Sequence, residues 1–361
     1  ICVFRTSTST AVGLVMLAIA GVAACGLSAC GDRPAAPAAD SLTSAGTPIE
    51  LERTDSDYLS EPLAFTTGAS STFVSDAASG TVLEYASGGA FVRRIGARGN
   101  GPGQFVGPTA LAVVGDTALL VADAALRRIN VFSLDAGVAR GAYRVEAQAA
   151  NLAVRTDTIV MGMQDLAQST SAGILILGDS TVRRIGALPK TLRAFPRIAE
   201  NYPLSYAVMS GDVIRVAFMG SDQLYTIDTR GALRDSIRLP ARHRIGVPND
   251  LDARLANPKA RGSEAAPASV LSFVGALADQ STVLVHVDFA MQNGAVGARA
   301  WLSRIDAAGR VTCNDVAVPI AADARAVFAL RGDTLLVLQH RARAVTGVMA
   351  TTVSRYPVPR C

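Results

Sequence analysis

The three histidines of the chain, His243, His286 and His340, are its first candidates for acid–base chemistry or metal binding. They are far apart in sequence, and no His-x-His or His-Glu-x-x-His spacing occurs, so a zinc site of either kind has no local anchor. A Gly-x-Ser-x-Gly nucleophile elbow is also missing from the sequence. His286 lies in the apolar segment Val283–Val287, which predicts a buried histidine with a hydrogen-bond partner. The histidines therefore indicate no particular reaction.

Two aspartates, Asp76 and Asp123, each end a similar apolar segment. We expect each carboxylate to accept backbone N–H groups and so to fix the turn between two strands. The alternative is a metal-binding or substrate-binding role, because such turns would lie at a rim of the fold.

The amino-terminal segment is organised like an export signal. Arg5 precedes an apolar stretch, residues 11–24, that is short for a membrane span. The sequence Leu27-Ser28-Ala29-Cys30 that follows resembles a bacterial lipobox, which implies cleavage before Cys30 and acylation of its thiol. We therefore expect residues 1–29 to be a lipoprotein signal peptide and residues 30–47, rich in Ala, Pro, Ser and Thr, to be a flexible tether.

This interpretation implies a location in the bacterial cell envelope, on the periplasmic or cell-surface side, with the lipid as the sole membrane anchor. An ordinary secretory signal and an uncleaved anchor are the alternatives. If the signal is removed and Cys30 carries lipid, Cys313 and Cys361 are the cysteines that remain. An even pair in an exported chain predicts a Cys313–Cys361 disulfide, and two unrelated thiols are the alternative.

The composition favours a folded protein of modest charge. Half of the 361 residues are hydrophobic, 18% are charged, and the net charge is +4. A chain of this length can bury a large core, and so small a net charge gives no reason to expect nucleic-acid binding. Of the 34 basic residues only Lys190 and Lys259 are lysines, which leaves 32 arginines.

Short segments rich in Val, Ile, Leu and Thr recur along the chain without a sustained 3.6-residue period, which predicts an all-β protein. The sequence Val92-Arg93-Arg94-Ile95-Gly96 recurs identically 90 residues later, at 182–186, and Asp76 and Asp123 are 47 residues apart. A period of about 45 residues is typical of a four-stranded propeller blade, and 90 residues make two blades.

The segment from Phe91 to Phe105 joins one repeat to the next through Gly99, Gly101 and Gly103. No Lys-Ser or Lys-Thr follows these glycines, so they are not a phosphate-binding loop, and we expect them to allow positive φ angles. The segment resembles an NHL-type repeat of the TolB-like propeller class. The resemblance implies a six-bladed β-propeller with four-stranded blades over residues 48–361.

The repeat places the six blades near residues 61–96, 108–146, 150–188, 204–240 and 269–319, and from 326 onward. The last blade is one strand short, which would expose unpaired backbone groups. Pro48–Arg53 alternates apolar and polar residues, so we expect it to supply the missing outer strand and to close the ring. The alternative is that it belongs to the tether. Two long connections, 188–203 and 241–267, join later blades.

Two enzymatic propeller families bear on function. Gluconolactonase-type propellers bind a divalent metal through a glutamate in a Glu-Gly-Pro context, whereas Glu61-Pro62 lacks the glycine and Pro248-Asn249-Asp250 falls in a long loop. Streptogramin-lyase-like propellers use paired histidines, which this sequence lacks. We therefore expect no catalytic residue, no metal and no cofactor. A metal-dependent hydrolase or lyase with its site at the channel mouth is the alternative function.

In a propeller, the loops between the second and third strands and those between blades open on the same side. The strand assignment gathers basic residues on that side: Arg98, Lys190, Arg193, Arg197, Arg242, His243, Arg244, Arg341 and Arg343. A one-sided basic rim would attract an anionic partner, and the planar guanidinium suits carboxylate or phosphate groups. We therefore expect a monomeric, lipid-anchored module that binds an acidic protein or polymer. The alternative is that these are solvated loop charges.

Overall fold

The structure is a computed structural model that describes residues 41–145, 147–163, 170–179, 182–187, 205–219, 221–239, 269–292, 295–343 and 346–361. The expected signal peptide, Cys30 and both long connections, 188–203 and 241–267, lie outside these residues. The described residues form strands and turns, and among them no helix has the length and apolarity to cross a membrane.

The strands, numbered in chain order, are β1 (Ile49–Glu50), β2 (Pro62–Thr67), β3 (Ser71–Asp76), β4 (Thr81–Ala86), β5 (Phe91–Ile95), β6 (Ala97–Arg98), β7 (Gln104–Phe105), β8 (Pro108–Val114), β9 (Ala118–Asp123), β10 (Arg128–Ser133), β11 (Ala139–Arg144), β12 (Ala149–Arg155), β13 (Thr158–Met163), β14 (Thr170–Ile176), β15 (Arg183–Ala187), β16 (Ser205–Ser210), β17 (Val213–Phe218), β18 (Gln223–Asp228), β19 (Leu233–Arg238), β20 (Ser269–Ala276), β21 (Thr282–Gln292), β22 (Ala295–Ile305), β23 (Val311–Val318), β24 (Arg325–Arg331), β25 (Thr334–Ala342) and β26 (Met349–Pro357).

Six antiparallel sheets of four strands form the blades: β2–β5, β8–β11, β12–β15, β16–β19, β20–β23, and β24–β26 with β1. The first strand of each blade is innermost. These inner strands contact one another in chain order, and β24 contacts β2, which closes a ring. The predicted six-bladed β-propeller is therefore confirmed, and each blade lies within a few residues of its expected position.

Because the blades are antiparallel, their loops lie on two opposite faces. We call one the turn face; it carries the turns between first and second strands and between third and fourth strands, such as 115–117 and 135–137. We call the other the crossing face; it carries the turns between second and third strands and the connections between blades, such as 77–80 and 96–107.

The hydrophobic core of the described residues is divided into six clusters, one at each interface between neighbouring blades. Successive side chains of a strand point to opposite sides of its sheet, and a neighbouring blade covers each side. Phe73 of β3 therefore packs against blade 2, while the adjacent Val74 packs against blade 6. Burial of each such side chain contributes about 1.5–3 kcal/mol.

The N-terminal strand closes the ring, as predicted. Ile49 of β1 pairs with Val353 of β26, and the N–H of Leu51 donates to the Thr351 carbonyl at 2.9 Å. The outer edge of blade 6 is thereby paired by the start of the described chain, which satisfies backbone groups that would otherwise be exposed.

Contacts with the propeller begin before β1, within the segment whose composition indicated a tether. Leu42 is buried in the cluster between blades 5 and 6, and its N–H donates to the Ala317 carbonyl of β23 at 2.9 Å. The N–H of Ala45 donates to the Arg355 carbonyl of β26 at 2.8 Å. Residues from 41 onward are therefore held along the outer strands of these blades.

The glycine-rich segment carries the chain from blade 1 to blade 2, and β6 and β7 pair in parallel across it. Gly99 and Gly103 have φ angles of 151° and 71°, as predicted, whereas Gly101 does not have a positive φ. Gly96 has a φ of 70°, and a Cβ atom there would lie 2.3 Å from Cε2 of the buried Phe105. Only glycine fits at position 96 without displacing that ring.

Cys313 and Cys361 form the predicted disulfide, with Cα atoms 5.3 Å apart. Cys313 is buried in β23, the outer strand of blade 5. Cys361 follows β26, in a segment that Arg304 of blade 5 also holds by donating from Nη1 to the Pro359 carbonyl at 2.7 Å. The bond therefore fastens the end of blade 6 to blade 5.

Arginine side chains join neighbouring blades near the turn face, and we call them the arginine clamps. Arg93 of blade 1 donates to the Asp135 carbonyl of blade 2 at 2.8 Å, and Arg215 of blade 4 donates to the Asp306 carbonyl of blade 5 at 2.7 Å. The other clamps are Arg155 and Arg183 (blade 3 to Gly211 and Thr229 of blade 4), Arg304 (blade 5 to Pro359) and Arg331 (blade 6 to Ala69 of blade 1).

Candidate functional site at the central channel

The inner strands surround a central channel of about 1360 Å³. Partly exposed apolar side chains line it, including Leu152, Tyr206, Phe273 and Leu330 from four different blades. The charged groups of the wall and two of its amides lie toward its two ends: Glu61, Arg127, Gln148 and Arg325 at the crossing face, and Arg155 and Gln280 at the turn face. The third amide, that of Asn151, exchanges hydrogen bonds with the Ala207 backbone of blade 4. A large concave space with apolar walls and a few converging polar groups is the place where a ligand site is expected.

The crossing-face mouth combines an ion pair and a separate cation. Arg325 Nη1 donates to Glu61 Oε1 at 3.2 Å, which joins blade 6 to blade 1. Arg127 lies in the turn between β9 and β10, is exposed, and has a φ of 51°. Within the described residues, no hydrogen bond or ion pair reaches its side chain, so its guanidinium is available to a ligand at this mouth.

His340 lies behind this mouth and does not line the channel. It is buried, and its Nδ1 is 2.8 Å from the Thr351 hydroxyl oxygen. Burial lowers the pKa of His340 and nearby Arg325 lowers it further, against opposing effects of Asp76 and the Ser60 backbone. The imidazole is therefore neutral at physiological pH, and it is a buried group outside the channel wall.

Asp76 has the structural role that the sequence predicted. It is fully buried, and its carboxylate accepts from the N–H groups of Ser60 (2.5 Å), Glu61 (2.8 Å) and Ser79 (2.8 Å). Asp123 repeats the arrangement in blade 2, accepting from the N–H groups of Val106, Gly107 and Leu126. Each aspartate thus fixes both its own turn and the chain that enters the inner strand of the same blade.

His286 is the buried histidine that its strand predicted. Its exposed fraction is 3%, and Nε2 lies 3.4 Å from Oδ1 of Asp315, which is equally buried. The pair joins β21 to β23 inside blade 5 and is remote from the channel wall. His243 lies outside the described residues.

Three of the nine predicted rim residues can be placed, and all three are on the crossing face. Arg98 Nη2 donates to the Ala77 carbonyl at 2.9 Å, Arg341 Nη1 lies 3.8 Å from Asp323 Oδ1, and Arg343 forms an ion pair with Glu50. Each is thus engaged with the protein itself. The remaining rim residues, Lys190, Arg193, Arg197, Arg242, His243 and Arg244, lie outside the part of the chain that is described.

Glu61, the residue compared with the metal-binding glutamate of gluconolactonases, is engaged by the Arg325 guanidinium. Across the described ranges, no group of three or more His, Cys, Asp or Glu side chains is placed to hold a metal ion. Asn249 and Asp250 fall in the undescribed connection.

The sequence did not single out Arg127, Gln148 or Arg325, although they form the mouth. They come from blades 2, 3 and 6, and no local spacing relates them. The one available signal was positional: Arg127 lies four residues after Asp123, in the turn that the aspartate fixes, and such turns surround the mouth.

Residues 38–179 match the model of the DUF5128 family, described as a 6-bladed β-propeller. No curated protein matches the chain. Among solved structures, a member of the DUF4221 family from Bacteroides vulgatus is 10% identical, with a TM-score of 0.58 over 87% of this chain and 97% of that chain.

A protein from Bacteroides fragilis described as exported is 10% identical, with a TM-score of 0.52 over 89% of this chain and 98% of that chain. A streptogramin B lyase is 11% identical, with a TM-score of 0.52 over 87% of each chain. At these identities the likeness concerns the backbone alone. The described strands, the family match and the structural likenesses all lead to the same conclusion: this chain is a six-bladed β-propeller.

Proposed function

We propose that this protein is an NHL-type, lipid-anchored β-propeller that works outside the cytoplasm as a binding module, and that its crossing face recognises an anionic protein or polymer. The observation that carries the proposal is the exposed Arg127 at the channel mouth, whose guanidinium has no partner among the described residues. A cation at the mouth of a concave site favours a ligand of opposite charge.

Arg98, Arg341 and Arg343 are already paired, so they add little to this preference. The other contribution would come from the remaining basic residues that the sequence assigns to this face, Lys190, Arg193, Arg197, Arg242, His243 and Arg244. Arginine at these positions would bind carboxylate or phosphate groups through two donors at once.

Three features support a location outside the cytoplasm. Leu27-Ser28-Ala29-Cys30 has the form of a lipidation site. The Cys313–Cys361 disulfide is of a kind that persists in oxidising compartments. The structural likeness to a Bacteroides fragilis protein described as exported agrees with both.

The test is direct binding of the purified protein to immobilised poly-L-glutamate, with poly-L-lysine as the opposite-charge surface, at low and moderate salt. Arg127→Glu and the pair Arg242→Glu with Arg244→Glu should each weaken binding to poly-L-glutamate roughly tenfold and reduce its salt dependence. Arg230→Glu is the matched control, because Arg230 is an exposed arginine on the turn face.

Equal loss of binding in Arg230→Glu would show a non-specific charge effect and would contradict the proposal. Unchanged binding in both crossing-face variants, or preference for poly-L-lysine, would also contradict it.

A further inference from the structure

The channel wall contains six sheet edges. Each inner strand, β2, β8, β12, β16, β20 and β24, is the end strand of its sheet, and none of them pairs with another strand on its channel side within the described chain. An unpaired edge presents a row of backbone N–H and C=O groups. A molecule in the channel that offers the same alternating groups in an extended form can pair with one of these edges, and an extended peptide is such a molecule.

The dimensions and walls of the channel suit a short peptide. The inner strands are six to eight residues long, which corresponds to roughly 20–26 Å at about 3.3 Å per residue. An extended peptide of about six residues would span that length. Between the edges, apolar groups such as Leu152, Phe273 and Leu330 offer contacts to apolar side chains.

Tyr206 adds one polar group to this wall. Burial raises the pKa of its phenol to about 12, so the hydroxyl stays neutral and can exchange hydrogen bonds with an uncharged amide.

The two ends of the channel differ in charge. At the crossing face, the exposed Arg127 and the Glu61–Arg325 pair line the same mouth. At the turn face, the Arg155 guanidinium of the wall already donates to the Gly211 carbonyl. The turns that follow the inner strands of blades 2, 3 and 4, next to the wall rather than in it, carry exposed aspartates, Asp116, Asp157 and Asp212, which no arginine pairs in the described part of the chain. A peptide with free termini matches these charges when its carboxylate lies near the arginine at the crossing face and its ammonium group lies toward the aspartates at the turn face.

We propose that the central channel binds a short extended peptide of largely apolar side chains, with its free C-terminal carboxylate at Arg127 and its amino terminus toward the turn face. Both proposals use Arg127, but this one places its ligand inside the channel, whereas the anionic partner binds the crossing face outside it. Ala326→Trp changes the channel wall and leaves Arg127 in place, so either proposal can fail without the other.

The test uses two pools of synthetic hexapeptides in which every position is Ala, Val, Leu or Phe. One pool has free C-terminal carboxylates and the other has C-terminal amides. The purified full chain is incubated with each pool, and retained peptides are measured by native mass spectrometry, followed by titration of the best-retained peptide. Because the pools cover many sequences, the result does not depend on guessing one.

Three variants locate the binding. Ala326 lines the channel and also packs against the core between blades 5 and 6, so Ala326→Trp narrows the channel at that point and should abolish retention. Arg127→Gln removes the guanidinium at an exposed position and should reduce the preference for carboxylate over amide, which we expect to be about tenfold or more for a charge-assisted contact. Arg230→Gln, on the turn face, is the control and should keep the parental preference. Circular dichroism and thermal unfolding establish that each variant is folded.

Three results together support the proposal. The parent retains carboxylate peptides, Ala326→Trp retains none, and Arg127→Gln no longer prefers carboxylate peptides to amides. Equal retention of both pools by the parent refutes the orientation, and retention that a folded Ala326→Trp variant preserves refutes the channel as the site. If Ala326→Trp does not fold, the test is the comparison of Arg127→Gln with Arg230→Gln. A carboxylate preference that is unchanged in Arg127→Gln refutes the proposal. The absence of any retained peptide refutes it outright.

Discussion

Asp76→Ala should destabilise the propeller by about 3–5 kcal/mol. The carboxylate is fully buried and accepts three backbone N–H groups, from Ser60, Glu61 and Ser79. A hydrogen bond to a charged group contributes roughly 1.5–3 kcal/mol, and removing the acceptor also leaves donors unsatisfied. The simple sum would be about 5–9 kcal/mol, which we reduce because the chain around Ser60 is near solvent and water can replace part of the loss.

The assay is equilibrium unfolding in urea, followed by fluorescence and by far-ultraviolet circular dichroism. Trp301 is the single tryptophan, it is 8% exposed, and it lies in blade 5, so its emission reports on a region remote from the substitution. Coincident transitions by the two probes would show that the ring unfolds as one unit and would justify converting midpoints to free energies.

Two variants control the interpretation. Asp76→Asn keeps one acceptor oxygen without the charge and should lie between the parent and Asp76→Ala. Asp116→Ala removes an exposed aspartate from a turn-face loop and should change stability by no more than about 0.5 kcal/mol. An Asp76→Ala effect below about 1 kcal/mol, or an equal effect of Asp116→Ala, would show that the buried carboxylate does not hold the start of blade 1.

Three further changes have defined outcomes. Cys361→Ser should lower stability by about 4 kcal/mol, the chain-entropy value for a sequence separation of 48 residues; reductant should destabilise the parent equally and leave the variant unchanged, and free thiols in the non-reduced parent would contradict the bond. Cys30→Ser should release the protein from membranes and change its processed mass, whereas parental fractionation and mass would disprove lipidation. Because the pKa of His340 lies below its ordinary value of about 6.5, the unfolded chain binds a proton first as pH falls, so stability should drop below that pH by at most about 1.4 kcal/mol per unit; His340→Gln should flatten this slope in pH-dependent unfolding, and an unaltered slope would assign it to other groups.

The blades were predictable because the same physical demand recurs in each. Every middle strand is covered on both sides, so its apolar run stands out from the glycine and aspartate turns that bound it. The closing strand was predictable for a different reason: one blade lacked an outer strand, and Pro48–Arg53 had the right alternation. Blade 5 departs from the pattern, since β21 and β22 extend well beyond the other middle strands, to Gln292 and from Ala295.

The site was less predictable because its members meet only through ring closure. Glu61 and Arg325 are 264 residues apart and pair because blade 6 returns to blade 1. Charge alone also does not show which rim arginines are free to bind a ligand, since Arg98 donates to carbonyl groups of a neighbouring turn and Arg343 pairs with Glu50 of the closing strand. Whether the guanidinium of an arginine faces solvent or binds a neighbouring turn depends on the fold around it, and the sequence alone does not show this.

The arginine clamps all run in the same direction around the ring. Each reaches from its own blade to the next one in chain order, and none of those described reaches back. The two copies of Val-Arg-Arg-Ile-Gly place Arg93 and Arg183 at the same step of their outer strands, and both hold the following blade, so the repeat propagates a linkage as well as a strand. Arg93 and Arg215 each donate to two adjacent carbonyls, which suits the planar guanidinium fork better than the point charge of lysine, so six of the 32 arginines have a structural use as clamps. Of the six junctions, that between blades 2 and 3 has no clamp among the described residues, so amide hydrogen exchange should be fastest there among the blade interfaces, and the ring should open first at that seam.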